Sequence, residues 1–337
     1  MKKIISLLFA INWVLCFQNK AQTTEHLSQV NFTNTFLSPA ETGATENLNV
    51  IVNYRNQWKA IATPYTINTV ALDLPILYGK MGVGGYLYQE NLGDNIHQFF
   101  SGKLAAAYHL KSKFITKDII SFGMDIGILQ FSNNGNKSIW GEQWNGFAFD
   151  ENLTSRDELT YGKNTKTALD IGAGVAWGAV YNNFFKAKAG VALKHLNKPT
   201  YDNFNNQSRI SRKLVLYGTI EMREQKSTAV VQNEKPFFTP DFVISFQEKS
   251  KSMQFGSFVS FPIATKATYT QYGNQIILKI GSHLRYKDAL IINGGIEYNN
   301  FKLGVSYDYV VSSAKKTSSN LISSFEILLH YRLKILK

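Results

Sequence analysis

The 337-residue chain has one cysteine, seven prolines and, past residue 20, no long apolar run. Each shortage excludes something. Cys16 lies within the first apolar stretch, so the chain beyond it carries neither a disulfide nor thiol chemistry. A helical membrane span needs about 20 apolar residues, and the one candidate, Ile4 to Phe17, is too short. The six histidines, at 26, 97, 109, 195, 283 and 330, form no His-x-x-x-His pair and have no cysteine partner, which removes the usual metal-ligand spacings. Gly82-Val83-Gly84-Gly85 and Gly172-Ala173-Gly174 sit in alternating stretches with no helical pattern after them, unlike a phosphate-binding turn. No nucleophile motif accompanies the histidines, so the expectation is a non-enzyme with no catalytic residue, metal or cofactor.

What is present is alternation. The chain is 44% hydrophobic and 13% aromatic, yet its mean hydropathy is only −0.16. A membrane β-barrel produces such an average, because each lipid-facing residue is followed by a lumen-facing one. In the closing stretch Phe325, Ile327, Leu329, Tyr331, Leu333 and Ile335 alternate with Glu326, Leu328, His330, Arg332 and Lys334. Period two fits a pleated strand with one apolar face and would scatter around a helix. The same pattern recurs from Leu48 onward. Ile120, Phe122, Met124, Ile126 and Ile128 oppose Ser121, Gly123, Asp125 and Gly127, and Leu169, Ile171, Ala173, Val175 and Trp177 oppose Asp170, Gly172, Gly174 and Gly178. Counting these runs predicts an all-β, transmembrane antiparallel barrel of about 14 strands, an even number that returns both termini to the periplasmic side. Tyr54, Tyr108, Trp177, Tyr286, Tyr298 and Tyr309 fall near strand ends, where interfacial aromatics belong. A soluble sandwich also alternates, but it needs neither these aromatics nor an export signal.

Lys2 and Lys3, the apolar Ile4 to Phe17 and the small Ala21 read as a signal peptide over 1–21, with Leu15 and Phe17 flanking Cys16 in place of the small residues of a lipid-attachment site. Losing Lys2, Lys3 and Lys20 lowers the net charge from +12 to +9. The remaining cations are spread over many strands and not clustered in a stripe, which argues against nucleic acid. Residues 22–47 read as a periplasmic lead-in anchored by Phe32, Phe36 and Leu37, and 48–337 as the barrel in the outer membrane. Lys103, Lys186, Lys188, Lys194, Lys279, Arg285 and Arg332 fall on the lumen face, with Asp125, Asp170, Glu297, Asp308 and Glu326 as counter-charges. Mutual pairing is the expected outcome. The longest break in the pattern, 132–166, holds Trp140 and Trp144 in a polar loop, the composition of a partner-binding anchor. The connections 224–236 and 262–275 are long for periplasmic turns.

Several landmark stretches run along the chain: Ser28-Gln29, Phe36-Leu37-Ser38-Pro39-Ala40 with Gly43, Tyr54-Arg55-Asn56-Gln57-Trp58, Pro64-Tyr65-Thr66, Asp170-Ile171-Gly172-Ala173-Gly174-Val175, His195-Leu196-Asn197-Lys198-Pro199 and Leu303-Gly304-Val305-Ser306-Tyr307-Asp308-Tyr309. In these the chain resembles the PorP/SprF-type outer-membrane proteins of the type IX secretion system. It departs in having Ser38 where the family usually has Asn, and Phe325-Glu326 where His-Glu is usual. The resemblance implies a non-enzymatic barrel that helps secrete or anchor one exported surface protein or adhesin by binding its C-terminal domain, in company with other type IX outer-membrane components and in gliding motility. The competing reading is a porin or solute transporter. Tyr54 to Trp58 reads as a strand end with Trp58 in the aromatic girdle, a structural role and not a binding one.

Overall fold

The computed structural model describes residues 27–29, 34–58, 64–93, 96–111, 118–134, 140–150, 152–153, 155, 163–182, 184–203, 206–223, 235–264, 274–311 and 323–335. The proposed signal peptide, Phe32, His26 and parts of the 132–166 loop lie outside them.

Sixteen strands are present: β1 Asn47–Gln57, β2 Tyr65–Ile76, β3 Met81–Leu92, β4 His97–Lys111, β5 Ile119–Asn134, β6 Lys163–Asn182, β7 Phe185–Lys194, β8 Thr200–Asn203, β9 Asn206–Arg209, β10 Lys213–Met222, β11 Phe237–Gln247, β12 Ser250–Ala264, β13 Ile276–Arg285, β14 Ala289–Tyr298, β15 Phe301–Val310 and β16 Ser323–Lys334. Fourteen of them close into an antiparallel barrel, while β8 and β9 form a separate hairpin in the connection from β7 to β10. Closure is made by β1 against β16, with Asn47 opposite Lys334 and Arg55 opposite Glu326. Closing the sheet leaves no unpaired edge, the condition for crossing a bilayer with strands.

All the period-two runs of the sequence are barrel strands, and their faces agree with the pattern. Leu104 is 73% exposed and Met124 63%, whereas Lys103, Asp125 and Glu326 are buried. Two features depart from a simple strand count. The strands extend beyond their alternating cores, most of all β5, β6 and β12, and the 197–211 loop contains β8 and β9. The start of β1 and the end of β16 meet at one mouth, so both long connections, β10 to β11 and β12 to β13, leave from that same terminal mouth without changing the strand count. No described helix is long and apolar enough to cross a membrane.

Candidate functional site: a lumen filled by its own N-terminal segment

Of the expected lead-in, residues 27–29 and 35–43 lie within the barrel, while Ala44 to Glu46 are exposed. Leu27, Ser28, Gln29 and Thr35 to Gly43 are buried among strands. Their local shape follows from sequence. Ser38 Oγ accepts from the Ala40 N–H, Pro39 opens a single 3-10 turn with φ already set, and Thr42 N–H closes it on the Pro39 carbonyl. Gly43 then takes φ +62°, which an L side chain resists, and its N–H donates to Asp73 Oδ1 at 3.0 Å. From Gly43 the chain runs back along the lumen toward the opposite mouth.

Close approach makes the seat. A Cβ on Gly82 would overlap the Thr42 carbonyl, one on Gly123 the Pro39–Ala40 peptide, and one on Gly174 would lie 2.5 Å from Ser38 Oγ. The lumen glycines therefore do more than relieve general crowding; three of them form a groove fitted to backbone. Beside it, the Phe36 ring stacks on Tyr88 at 5.5 Å and meets Tyr86 edge-on at 5.2 Å, with Lys194 Nζ 4.2 Å above the ring centroid. Leu37 packs with Ala192, Val215 and Tyr217. Glu41 accepts from the Tyr217 hydroxyl at 3.0 Å and pairs with Lys188 at 3.2 Å. Truncating so enclosed an aromatic removes its dispersion contacts and leaves a cavity, a cost of about 3–5 kcal/mol. Phe36→Ala is accordingly expected to loosen the segment, read as faster protease cleavage within 27–43 while the barrel stays intact.

The deep end of the segment is held by charge. Glu326 accepts the main-chain N–H of Ser28 at 2.6 Å and of Gln29 at 2.9 Å, and Asn53 Nδ2 at 2.8 Å. The Ser28 hydroxyl donates toward Asp308, and Arg285 donates to that hydroxyl at 2.9 Å. Arg55 spans the cluster, at 2.8 Å from Asp308 and 3.1 Å from Glu326, and also bonds the Ser28 hydroxyl. Gln254 Nε2 donates to the Ser28 carbonyl at 2.9 Å, and a Cβ on Gly304 would collide with the Gln29 amide. Landmark stretches at opposite ends of the sequence, Ser28-Gln29, Tyr54 to Trp58 and Leu303 to Tyr309, thus converge on a single buried cluster.

The remaining lumen charges pair as expected. Lys103 lies between Asp125 at 2.8 Å and Asp170 at 2.6 Å, and His195, at φ +57°, faces Asp170 at 2.9 Å. Glu297 gathers Lys279 at 2.7 Å, Arg332 at 3.1 Å and Lys302 at 3.9 Å. Lys186 meets Glu221 at 3.3 Å. Of the closing strand's inward residues, Glu326 pairs with Arg55, whereas His330 faces Asn49 and Arg332 turns to Glu297. The described histidines have structural partners. His283 lies between Asp241 and Asn293. His109 Nε2 faces the Thr42 carbonyl, which can only accept, so this nitrogen carries the proton and Nδ1 accepts from Ser121 at 2.7 Å. That arrangement clasps the 3-10 turn. Among the described residues no group of three His, Cys, Asp or Glu side chains could hold a metal ion.

At the mouth away from the start of β1 and the end of β16, a cavity of about 500 Å³ opens above the Ser28 cluster, with Arg55, Arg285 and Asp308 on its lining together with Trp58, Tyr65 and Tyr286. Trp58, at φ +60° and 5.8 Å from the Tyr65 ring, borders this vestibule at the strand end while staying 44% exposed, and Arg55 holds the segment, so the block is divided between the two. Over the β5–β6 connection the two tryptophans part company. Trp140 is half-buried, with its main-chain N–H bonded to Gln143 Oε1, whereas Trp144 is exposed and meets the Phe149 ring edge-on at 5.0 Å in a small bridge. Phe147, at the tip between them, is 96% exposed. Alternation analysis had no signal for it, because a loop has no period.

Residues 19–331 match the family model described as type IX secretion system membrane protein PorP/SprF. No curated protein matches significantly. Among solved structures, the chain is similar to the Pseudomonas putida toluene transporter TodX, with 6% identity, TM-score 0.49, and 93% of this chain and 95% of that one covered. It is also similar to a Pseudomonas aeruginosa FadL homologue, with 8% identity, TM-score 0.46 and coverage of 89% and 93%. A third is the CymD monoaromatic hydrocarbon channel, with 10% identity, TM-score 0.46 and coverage of 90% and 93%.

Proposed function

Because the chain belongs to the PorP/SprF family of type IX secretion system membrane proteins, we propose that this outer-membrane barrel assists secretion or surface anchoring of one cognate exported protein by binding that protein's C-terminal domain. The observation that carries the reading is the filled lumen. A solute pore works by keeping a wet, continuous path; here Leu27 to Gln29 and Asn34 to Gly43 occupy the interior, and the wall charges are spent on each other and on that segment. Such a barrel offers surfaces in place of a conduit. The test is deletion in the host: the cognate protein is lost from the surface or released to the medium, with small-solute uptake unchanged. Uptake that falls while every surface protein stays in place would support the porin reading instead.

The partner-facing surface we assign to the β5–β6 connection. Exposed aromatics dominate interface energetics when they are desolvated by a partner, and Trp144, Phe147 and Phe149 stand exposed on a turn whose backbone is already fixed by Asn145 N–H to the Ala148 carbonyl and Asp150 N–H to the Gln143 carbonyl. Preorganisation of this kind lowers the cost of binding. Trp144→Ala with Phe147→Ala is expected to lower partner retention by at least about thirtyfold, the minimum for losing one hot-spot aromatic, while Trp140→Ala acts only through the loop's own order. Retention measured by co-purification that stays at wild-type level in the double variant removes the assignment.

A further inference from the structure

The deep end of the internal segment is held as a peptide ligand is held. Glu326 takes two successive main-chain N–H groups, Gln254 donates to a main-chain carbonyl, and Asp308 accepts a hydroxyl. Ser28 contributes little beyond turned backbone, which brings two successive N–H groups to one carboxylate, and that hydroxyl. The three wall residues are buried, and the approach to them is built: the vestibule opens directly above, and its volume of about 500 Å³ is that of a small-ligand site. Arg55 and Arg285 touch both the Ser28 hydroxyl and the vestibule, so they are within reach of whatever enters it.

The two halves of the segment differ in how readily they could leave. Asn34 to Gly43 interlocks with Gly82, Gly123 and Gly174 backbone and with the Tyr86–Tyr88 wall, so any shift meets atoms. Ser28 and Gln29 are held chiefly by hydrogen bonds, each of modest net strength because water competes for the same groups and each replaceable by an equivalent group. Exchange is therefore confined to the tip.

We propose that the Ser28–Gln29 receptor is a peptide-binding site in its own right, and that a turn-forming, serine- or threonine-bearing segment of the exported partner enters through the vestibule and takes the place of Ser28 and Gln29. This rests on the partner-binding reading above and gives it a second contact, inside the barrel. The tip, tethered at high effective concentration, is the built-in competitor. Weakening it raises the affinity for a free peptide.

The probe is a fluorescein-labelled synthetic peptide with the sequence of residues 22–33, titrated by anisotropy into the full-length barrel in detergent micelles. In Ser28→Ala/Gln29→Pro the tip loses its hydroxyl and one of the two N–H groups seen by Glu326, so the peptide is expected to bind at least about tenfold more tightly than to wild type, as release of an intramolecular competitor predicts. Replacing the serine of the peptide by alanine, or Gln254 by alanine in the barrel, is expected to remove most of that gain. Gln254→Ala leaves the Arg55 cluster charged and complete, and heat-modifiable gel mobility reports that each variant is folded. Equal binding to wild type and variant, no binding to either, or indifference to the serine overturns the proposal. Peptide binding requires no partner, so failure here leaves the surface-display experiment standing, and failure of that experiment leaves the receptor standing.

Discussion

Arg55→Ala is expected to destabilise the folded barrel by about 3 kcal/mol, the range for breaking a buried ion pair from one side. Arg55 is 1% exposed and bridges Asp308 and Glu326, both equally buried. Removing it leaves two buried carboxylates without the cation they share. The loss stays at the lower end because each retains other donors: Asp308 keeps Arg285 at 3.2 Å, and Glu326 keeps Asn53 and the two main-chain N–H groups. Arg55→Lys is expected to fall between, since one ammonium cannot span both carboxylates as a planar fork does. The measurement is denaturant unfolding in lipid vesicles, with Glu326→Gln added to close a double-mutant cycle. Additive effects would mean that the pair is not coupled, contrary to its 3.1 Å geometry.

The second large effect is on conductance. Wild-type barrels reconstituted in planar bilayers are expected to be almost silent, because the segment fills the lumen. Gly123→Val places a branched side chain where the Pro39–Ala40 peptide lies, and the backbone there has no room to yield. The segment is then displaced, and a 14-stranded lumen without its filling is wide enough for water and ions, as wider porin barrels are. Steady ion conduction should appear. Gly178→Ala is the matched control: it lies in the same strand as Gly174, but its Cβ meets nothing within 4 Å, so it should remain silent. A Gly123→Val barrel that folds and stays closed contradicts the seating described here.

These two predictions concern the same object from opposite sides, one electrostatic and one steric. They also explain why the landmark stretches of the sequence lie where they do. Ser28-Gln29, Ser38-Pro39-Ala40, Arg55, Gly174 and Asp308 are separated by up to 280 residues and meet only along the lumen. Many of the residues on which the resemblance to the family rests thus lie on the internal segment and its seat.

The strand pattern was legible without a structure, for a local reason. Which side of a pleated strand a residue faces depends only on its parity, so Phe325 and Glu326 declare lipid and lumen by themselves, and fourteen such runs amount to a barrel. The pairing of lumen charges was legible too, since cations and carboxylates on one enclosed face must neutralise each other. The internal segment was not. Phe36 and Leu37 mark it as needing an apolar seat, but that seat is assembled from Tyr86 and Tyr88 on β3, Ala192 on β7 and Val215 on β10, and irregular backbone has no period from which to read it. The same holds for Gly82, Gly123 and Gly174, whose meaning depends on what lies opposite them. Parity belongs to one strand, whereas a groove belongs to several, and only the closed barrel decides what fills it.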